Sequence, residues 1–296
     1  MQAATYQLID FGEGRKLESL GDFLIDRPSP AALHQRARSD GWARADARFD
    51  VRSKRWSFRR RWPESLFVDC GPFRMPVQPT PFGHIGLFPE QHANWQWLHR
   101  QAAAHREAGE HPFRGLNLFA YTGASSLAIA SGGGSAVHVD AAKPNVAAAK
   151  RAAAANHFDD SIRFLTDDAR KFVARELRRG RVYDLIVLDP PAYGHGPGGK
   201  AWRLERDLWP LLDDCLKLLS RPERRLLVTG HSEQVDHRDI QRYLTQRCGD
   251  RVAIEAGRSS LPDAAGRRLD CGFSVRATWS EGQRVSPSSN RTPSID

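Results

Sequence analysis

Cysteine is scarce in this chain: four residues in 296 (Cys70, Cys215, Cys248, Cys271), far apart and with no C-x-x-C pair. That excludes a zinc knuckle and a disulfide framework, and the four read as reduced thiols with no metal site implied. Long apolar runs are missing as well. Nothing approaches the ~20 apolar residues of a bilayer-spanning helix, and the mean hydropathy is −0.55, so a soluble chain with no membrane partner is expected. The opening stretch, MQAATYQLIDFGEGRKLESLGDF (1–23), lacks the charged start, apolar middle and small-residue cleavage site of a secretory signal, which predicts a cytoplasmic location. Internal repeats are absent, and so is any G-x-G-x-x-G string.

What is present is enough apolar residue, 40% of 296, for one large domain or two smaller ones with proper cores. The formal charge is +9, from 44 Lys+Arg against 35 Asp+Glu, which favours a polyanionic partner such as nucleic acid. Only seven of the cations are lysine, and arginine is the side chain that forks onto phosphate and stacks on bases; an arginine-biased composition is the plainer reading. The excess is spread out, with 16 cations against 13 anions in residues 1–110. RSKRWSFRRR (52–61) is the one local cluster, six cations interleaved with Trp56 and Phe58. Such a string suits single-stranded RNA, or equally an edge strand charged against pairing.

The first 88 residues hold short β-like runs (YQLIDF, DFLIDR, RWSFRR, LFVDC) and one helical candidate around 30–40, which predicts a small α+β or β-rich domain. Residues 89–110 carry Trp95, Leu98 and Ala102 at helical spacing and read as a linking helix. From 111 to 279 buried-strand runs alternate with helical segments. Such alternation predicts an α/β fold, a mostly parallel sheet with helices on both faces, and ligands beyond the carboxyl ends of its strands. The polar Ser- and Pro-rich 280–296 reads as a disordered tail.

The strand ends carry the chemistry. The first closes in Asn117-Leu118-Phe119-Ala120-Tyr121-Thr122-Gly123, a tight turn where glycine lets the backbone approach a ligand and a helix offers free N–H groups. The second closes in Asp140, placed to accept from both hydroxyls of a ribose. Together they mark an adenosine-containing cofactor, and the missing G-x-G-x-x-G favours a sulfonium cofactor over a dinucleotide. The third ends in Asp167-Asp168, where Asp168 can accept from an adenine amino group, and a helix N-cap role is compatible with this and equally open to Asp167. The fourth ends in Asp189-Pro190-Pro191-Ala192-Tyr193. Two prolines hold that backbone extended, so fixed carbonyls could accept from the amine of a flat base while Tyr193 stacks on it. GHGPGGK (194–200) reads as a mobile lid, with Lys200 available to a phosphate.

In their order and spacing, LNLFAYTG, VHVDAAKPNVAAAKRAAAAN, FLTDDARKFV and DLIVLDPPAYG resemble motifs I to IV of class I S-adenosylmethionine-dependent methyltransferases. N-x-F-x-Y-T-G followed by D-P-P-x-[FY] resembles the bacterial 23S rRNA methyltransferase group that includes the large-subunit cytosine-C5 enzymes. The likeness covers 84–232, and no counterpart of the RNA-binding PUA domain often found in that group is identifiable before residue 80. The resemblance implies a Rossmann-like sheet, S-adenosylmethionine as cofactor and ribosomal RNA as partner. It also implies that Asn117, Phe119, Tyr121, Thr122 and Gly123 form the cofactor turn, the last three at the methionine end. Asp140 then binds ribose, Asp168 binds adenine, and Asp189, with Pro190, Pro191 and Tyr193, borders the reacting methyl. FPEQHAN (88–94) resembles the segment that packs across the cofactor, through Gln91.

One departure matters. Methylation at carbon 5 of a pyrimidine needs a thiolate that adds to the ring, and the fifth strand ends in Thr229-Gly230-His231-Ser232 with no cysteine there or within 189–200. Direct transfer needs only positioning, with a base where the acceptor carries a proton, for which His195 and His231 are candidates. Two other readings stay open: a methyltransferase for a protein or small metabolite, and a non-catalytic nucleic-acid-binding module. The target atom and oligomeric state are not legible.

Overall fold

The structure is a computed structural model that describes residues 3–37, 41–109, 111–195 and 201–279. The 280–296 tail, Lys200 and most of the expected lid (196–200) lie outside the described residues, as does the His195 side chain. Among the described residues no helix is long and apolar enough to cross a membrane.

Five strands open the chain: β1 (Tyr6–Gly12), β2 (Arg15–Leu20), β3 (Phe23–Pro28), β4 (Ala47–Asp50) and β5 (Arg55–Phe58). They lie side by side in that order, antiparallel except for the β3–β4 pair, so β5 is an edge. β2 was not visible in the sequence because RKLESL does not look apolar. It is nevertheless almost wholly buried. Glu18 accepts from Nε and Nη2 of Arg27, the ammonium of Lys16 at 3.1 Å and the hydroxyl of Tyr6 at 2.8 Å, and a buried carboxylate survives only with such pairing.

The helix expected around 30–40 is not present in 29–37. That segment spends its backbone on the β1–β2 turn instead, with Glu13 N–H donating to His34 O and Gly14 N–H to Ala32 O, each at 2.8 Å. Carbonyls engaged in this way do not build an i to i+4 ladder. Next come a short hairpin of β6 (Phe67–Asp69) and β7 (Arg74–Pro76) and then α1 (His92–Ala108). α1 buries Trp95, Leu98 and Ala102 as their spacing required, and stops at Gly109 in the left-handed region.

The rest alternates: β8 (Arg114–Leu118), α2 (Ala124–Ser131), β9 (Ser135–Asp140), α3 (Lys143–Ala154), β10 (Ile162–Thr166), α4 (Ala169–Arg178) and β11 (Leu185–Leu188). It continues with the paired β12 (Tyr193–His195) and β13 (Ala201–Arg203), α5 (Leu204–Leu218), β14 (Arg224–Gly230), α6 (His237–Cys248), β15 (Ala253–Pro262) and β16 (Arg268–Trp279). The seven-stranded sheet runs β10-β9-β8-β11-β14-β16-β15; the first five are parallel and β16 is antiparallel to both neighbours. The chain moves outward from β8 to β10, then returns to the other side of β8 with β11. A crevice therefore opens at their carboxyl ends.

Strand alternation decides which helices cover which face. Leu116 and Leu118 join the cluster built by Phe172, Leu208, Leu212 and Ile240 of α4, α5 and α6. Gly115 faces the other way, so close to α2 that a Cβ would lie 2.7 Å from Ile129. On that second face Leu98, Leu127 and Ile129 share one cluster with Phe23, Ile25 and Met75, so the N-terminal sheet and the parallel sheet have a common core. Arg267, in the β15–β16 turn, pairs with Asp263 and with Asp10 of β1 and ties the far end of the chain to the first strand.

Candidate cofactor and substrate cleft

Past the end of β8 the backbone turns sharply. Phe119 and Tyr121 have φ of 56° and 48°, and Gly123 has 96°, an arrangement that costs energy at each non-glycine position. Bonds from β9 hold it: Ala120 N–H donates to Val139 O at 3.1 Å, and Tyr121 N–H to Asp140 Oδ2 at 2.8 Å. Gly123 then starts α2 beneath α3, where a Cβ would lie 3.0 Å from that of Ala149. Asp140 Oδ1 accepts from Ala142 N–H at 2.8 Å and Asn145 Nδ2 at 3.1 Å.

Phe119, Asp140, Asp168, Arg170, Pro191 and Trp202 line a cleft open to solvent. The rings of Phe119 and Trp202 lie 4.8 Å apart, and the indole N–H of Trp202 donates to Pro191 O at 2.7 Å. Asp168 caps α4 by accepting from the N–H groups of Arg170 and Lys171 and also meets the Arg170 guanidinium. Burial works to raise its carboxyl pKa, but these bonds outweigh it and hold the value low.

Just beyond β11, Asp189 is exposed to solvent, with protein packed close around its carboxyl. The resulting desolvation raises its carboxyl pKa; Thr229, donating from Oγ1 to Oδ1 at 2.7 Å, and the nearby His231 act the opposite way, and Glu90 adds to the rise. Tyr193 is 54% exposed on β12. Thr122 donates to Gly86 O at 2.7 Å, and the ring of Tyr121 lies 5.4 Å from that of Phe88, so the 84–88 segment packs against the turn after β8.

Three comparisons bear on this geometry. A sequence profile of the S-adenosylmethionine-dependent methyltransferase family matches residues 71–219, half of the chain. The chain belongs to that family. This methyltransferase is similar to a solved S-adenosylmethionine-dependent methyltransferase from Agrobacterium tumefaciens, 32% identical, covering 93% of this chain and 90% of that one with a TM-score of 0.84. A methyltransferase structure from Streptococcus mutans (17% identical, 94% of this chain and 76% of that one, TM-score 0.72) shares the fold. Among curated proteins, the ribosomal RNA large subunit methyltransferase K/L of Chromohalobacter salexigens is 27% identical over 88% of this chain but only 31% of its own length. The corresponding K protein of Neisseria meningitidis is 33% identical over 36% of this chain and 31% of its own length. The chain spans between 18% and 31% of the length of the K/L relatives first matched.

The cleft of this methyltransferase suits its family's cofactor, S-adenosylmethionine, which is flat and aromatic at one end and charged at the other. The neighbouring rings of Phe119 and Trp202 offer flat apolar faces in it, and the carboxylates of Asp140 and Asp168 line it too. Gly123 itself is buried, and its missing side chain lets the turn pack closely under Ala149 of α3.

Several expectations change. Asn117 is not in the cleft: it lies mid-strand on the α2 face, is 2% exposed, and donates from Nδ2 to Ser126 Oγ at 2.9 Å. Asp168, not Asp167, is the N-cap; Asp167 pairs with Arg175. Asp140 has about four acceptor sites as a carboxylate, and protein donors take three of them, which leaves Oδ2 for one ribose hydroxyl rather than two. The Pro191 carbonyl, expected to face a base, is held by Trp202. Gln91 accepts from Asn94 at 2.7 Å, and Asn94 in turn accepts from Arg276 at 2.8 Å, so this segment is docked on β16. Sequence reasoning missed Trp202 and Arg170. Their only local signals were an aromatic just after the glycine-rich loop and a cation two residues past Asp168. His231, at the end of β14, does reach the neighbourhood of Asp189.

Proposed function

We propose that this methyltransferase works in the cytoplasm on RNA, most specifically ribosomal RNA, and transfers methyl directly to a nitrogen of a base. One observation carries the reading: an exposed tyrosine stands four residues past a solvent-open carboxylate of raised proton affinity, across two rigid prolines. A flat base can stack on Tyr193 while Asp189 accepts from its N–H, which orients the nitrogen lone pair in line for transfer. Bound S-adenosylmethionine supplies the electrophilic methyl. Asp140 would hold its ribose, Asp168 and the Phe119–Trp202 pair its adenine, and the Tyr121–Gly123 turn its methionine end. The large-subunit relatives support an RNA acceptor. In this reading 1–88 is an N-terminal unit, 89–110 a linking helix and 111–279 the methyltransferase unit.

A covalent carbon-5 route is disfavoured because no cysteine is among the residues lining the cleft. Burial raises the thiols of Cys70 and Cys271 to about 12 and pushes those of Cys215 and Cys248 upward, and a protonated thiol does not add to a ring. The test is to offer labelled S-adenosylmethionine with total RNA, protein and metabolite fractions separately. Label in RNA is expected; label confined to protein or metabolites would overturn the reading.

A further inference from the structure

The cationic run 52–61 divides in the folded protein. Arg59 pairs with Asp46, Arg60 with Asp22 and Asp46, and Arg61 with Glu64. These three, just after β5, are held by acids. Arg52 and Lys54 on the β4–β5 turn and Arg55 at the start of β5 stand exposed and form no ion pair with a described residue. The turn itself is fixed, with Ser53 N–H donating to Asp50 at 2.6 Å and Lys54 in the left-handed region.

From this turn a line of contacts leads to the cleft. Phe58, 47% exposed, stacks on Trp56 at 6.3 Å, and the indole N–H of Trp56 donates to Thr80 O at 2.7 Å. Thr80 opens a tight loop closed by its bonds with His84. At the loop's tip Phe82 is 79% exposed, held up by Gly83, whose backbone sits so close to Phe49 that a Cβ would lie 2.7 Å from the ring. His84 then meets Phe88 at 5.7 Å, and Phe88 meets Tyr121 at the cofactor turn. A large aromatic exposed on a rigid tip has no packing role, and unpaired cations beside it select a polyanion with flat groups. Single-stranded RNA has both: phosphates for the cations and unstacked bases for the rings.

We infer that an unpaired RNA segment flanking the target nucleotide lies along this edge, from the β4–β5 turn across Phe82 to the cleft. The inference rests on the RNA reading above and adds to it the form of the substrate: a single strand, gripped by Arg52, Lys54 and Arg55 through phosphate and by Phe82 and Phe58 through bases. A duplex cannot offer base faces to Phe82, so it binds more weakly.

The experiment uses the full chain and a fluorescently labelled mixed-sequence RNA 15-mer, alone and annealed to its complement. The wild type is expected to prefer the single strand. Phe82→Ala should weaken single-strand binding about fivefold or more, the low end for a lost base–aromatic stack, with Phe82→Trp restoring it. Arg52→Ala/Lys54→Ala/Arg55→Ala should flatten the slope of log K against log salt by about 2, since each phosphate contact on a single strand contributes about 0.7. Affinity for S-adenosylmethionine and the thermal midpoint should stay constant in all variants. RNA binding by the wild type that none of these changes affects overturns the track and leaves the RNA reading intact. A wild type that neither binds nor methylates RNA overturns both.

Discussion

The backbone N–H of Tyr121 donates to Oδ2 of Asp140 at 2.8 Å, so one carboxylate closes the turn after β8 and faces the cleft as well. Asp140→Ala should therefore weaken S-adenosylmethionine binding by about 1.5–3 kcal/mol, the scale of hydrogen bonds to a charged group. It should also lower stability, because the N–H groups of Tyr121 and Ala142 lose their acceptor. Calorimetry and thermal unfolding separate the two effects. Unchanged affinity would remove the ribose assignment, and tight binding of NAD would contradict the cofactor fit.

Asp189 should set the acid limb of activity. Its carboxyl pKa is raised, and its acceptor role is lost as pH falls through that value, so the limb should lie above the ordinary aspartate range. Thr229→Val removes a bond that lowers the pKa and should shift the limb further upward. A limb in the same place in both proteins would show that another group controls it.

Tyr193→Ala should reduce turnover by about 1–3 kcal/mol in barrier through loss of a stacking face, with cofactor affinity unchanged. A fall in cofactor affinity with normal turnover would move Tyr193 out of the acceptor site.

Replacing all four cysteines should leave methyl transfer intact apart from lost stability, since Cys215 is fully buried. No covalent adduct should form with 5-fluorocytosine- or 5-fluorouracil-substituted RNA. An adduct abolished by one Cys→Ser change would restore the carbon-5 route.

Glu18 carries a stability signature. Burial by itself would raise its pKa, but the charges of Arg27 and Lys16 prevail and hold it at about 2, against 4.5 for the free side chain. Its folded-state pKa is depressed, so its contribution is fully present above 4.5 and is lost as pH falls toward 2. Denaturant unfolding of wild type and Glu18→Gln should show the gap between them narrowing across that window. A constant gap would mean that the pairing contributes no proton linkage.

The local sequence determined the parallel half of the sheet. Continuous apolar runs such as LIVL can be buried on both faces only between helices, and the acids that follow β9 and β10, Asp140 and Asp168, line the cleft. Capping chemistry and helical spacing likewise placed α1, α4 and α6 near their observed bounds. Tertiary structure decided the rest. β2 is buried only because Arg27 and Tyr6, distant in sequence, neutralise Glu18, and no pattern within RKLESL reports that. Trp202 completes the wall against Phe119 because β13 folds back beside β12. Asn117 left the site because alternation along β8 turns it toward α2, away from Leu116 and Leu118. Of the six cations in 52–61, Arg59 and Arg60 are paired with acids that other segments bring beside them, Arg61 with Glu64 three residues on, and three are not paired with a described residue, since a charge's partners depend on which strands the fold brings beside it.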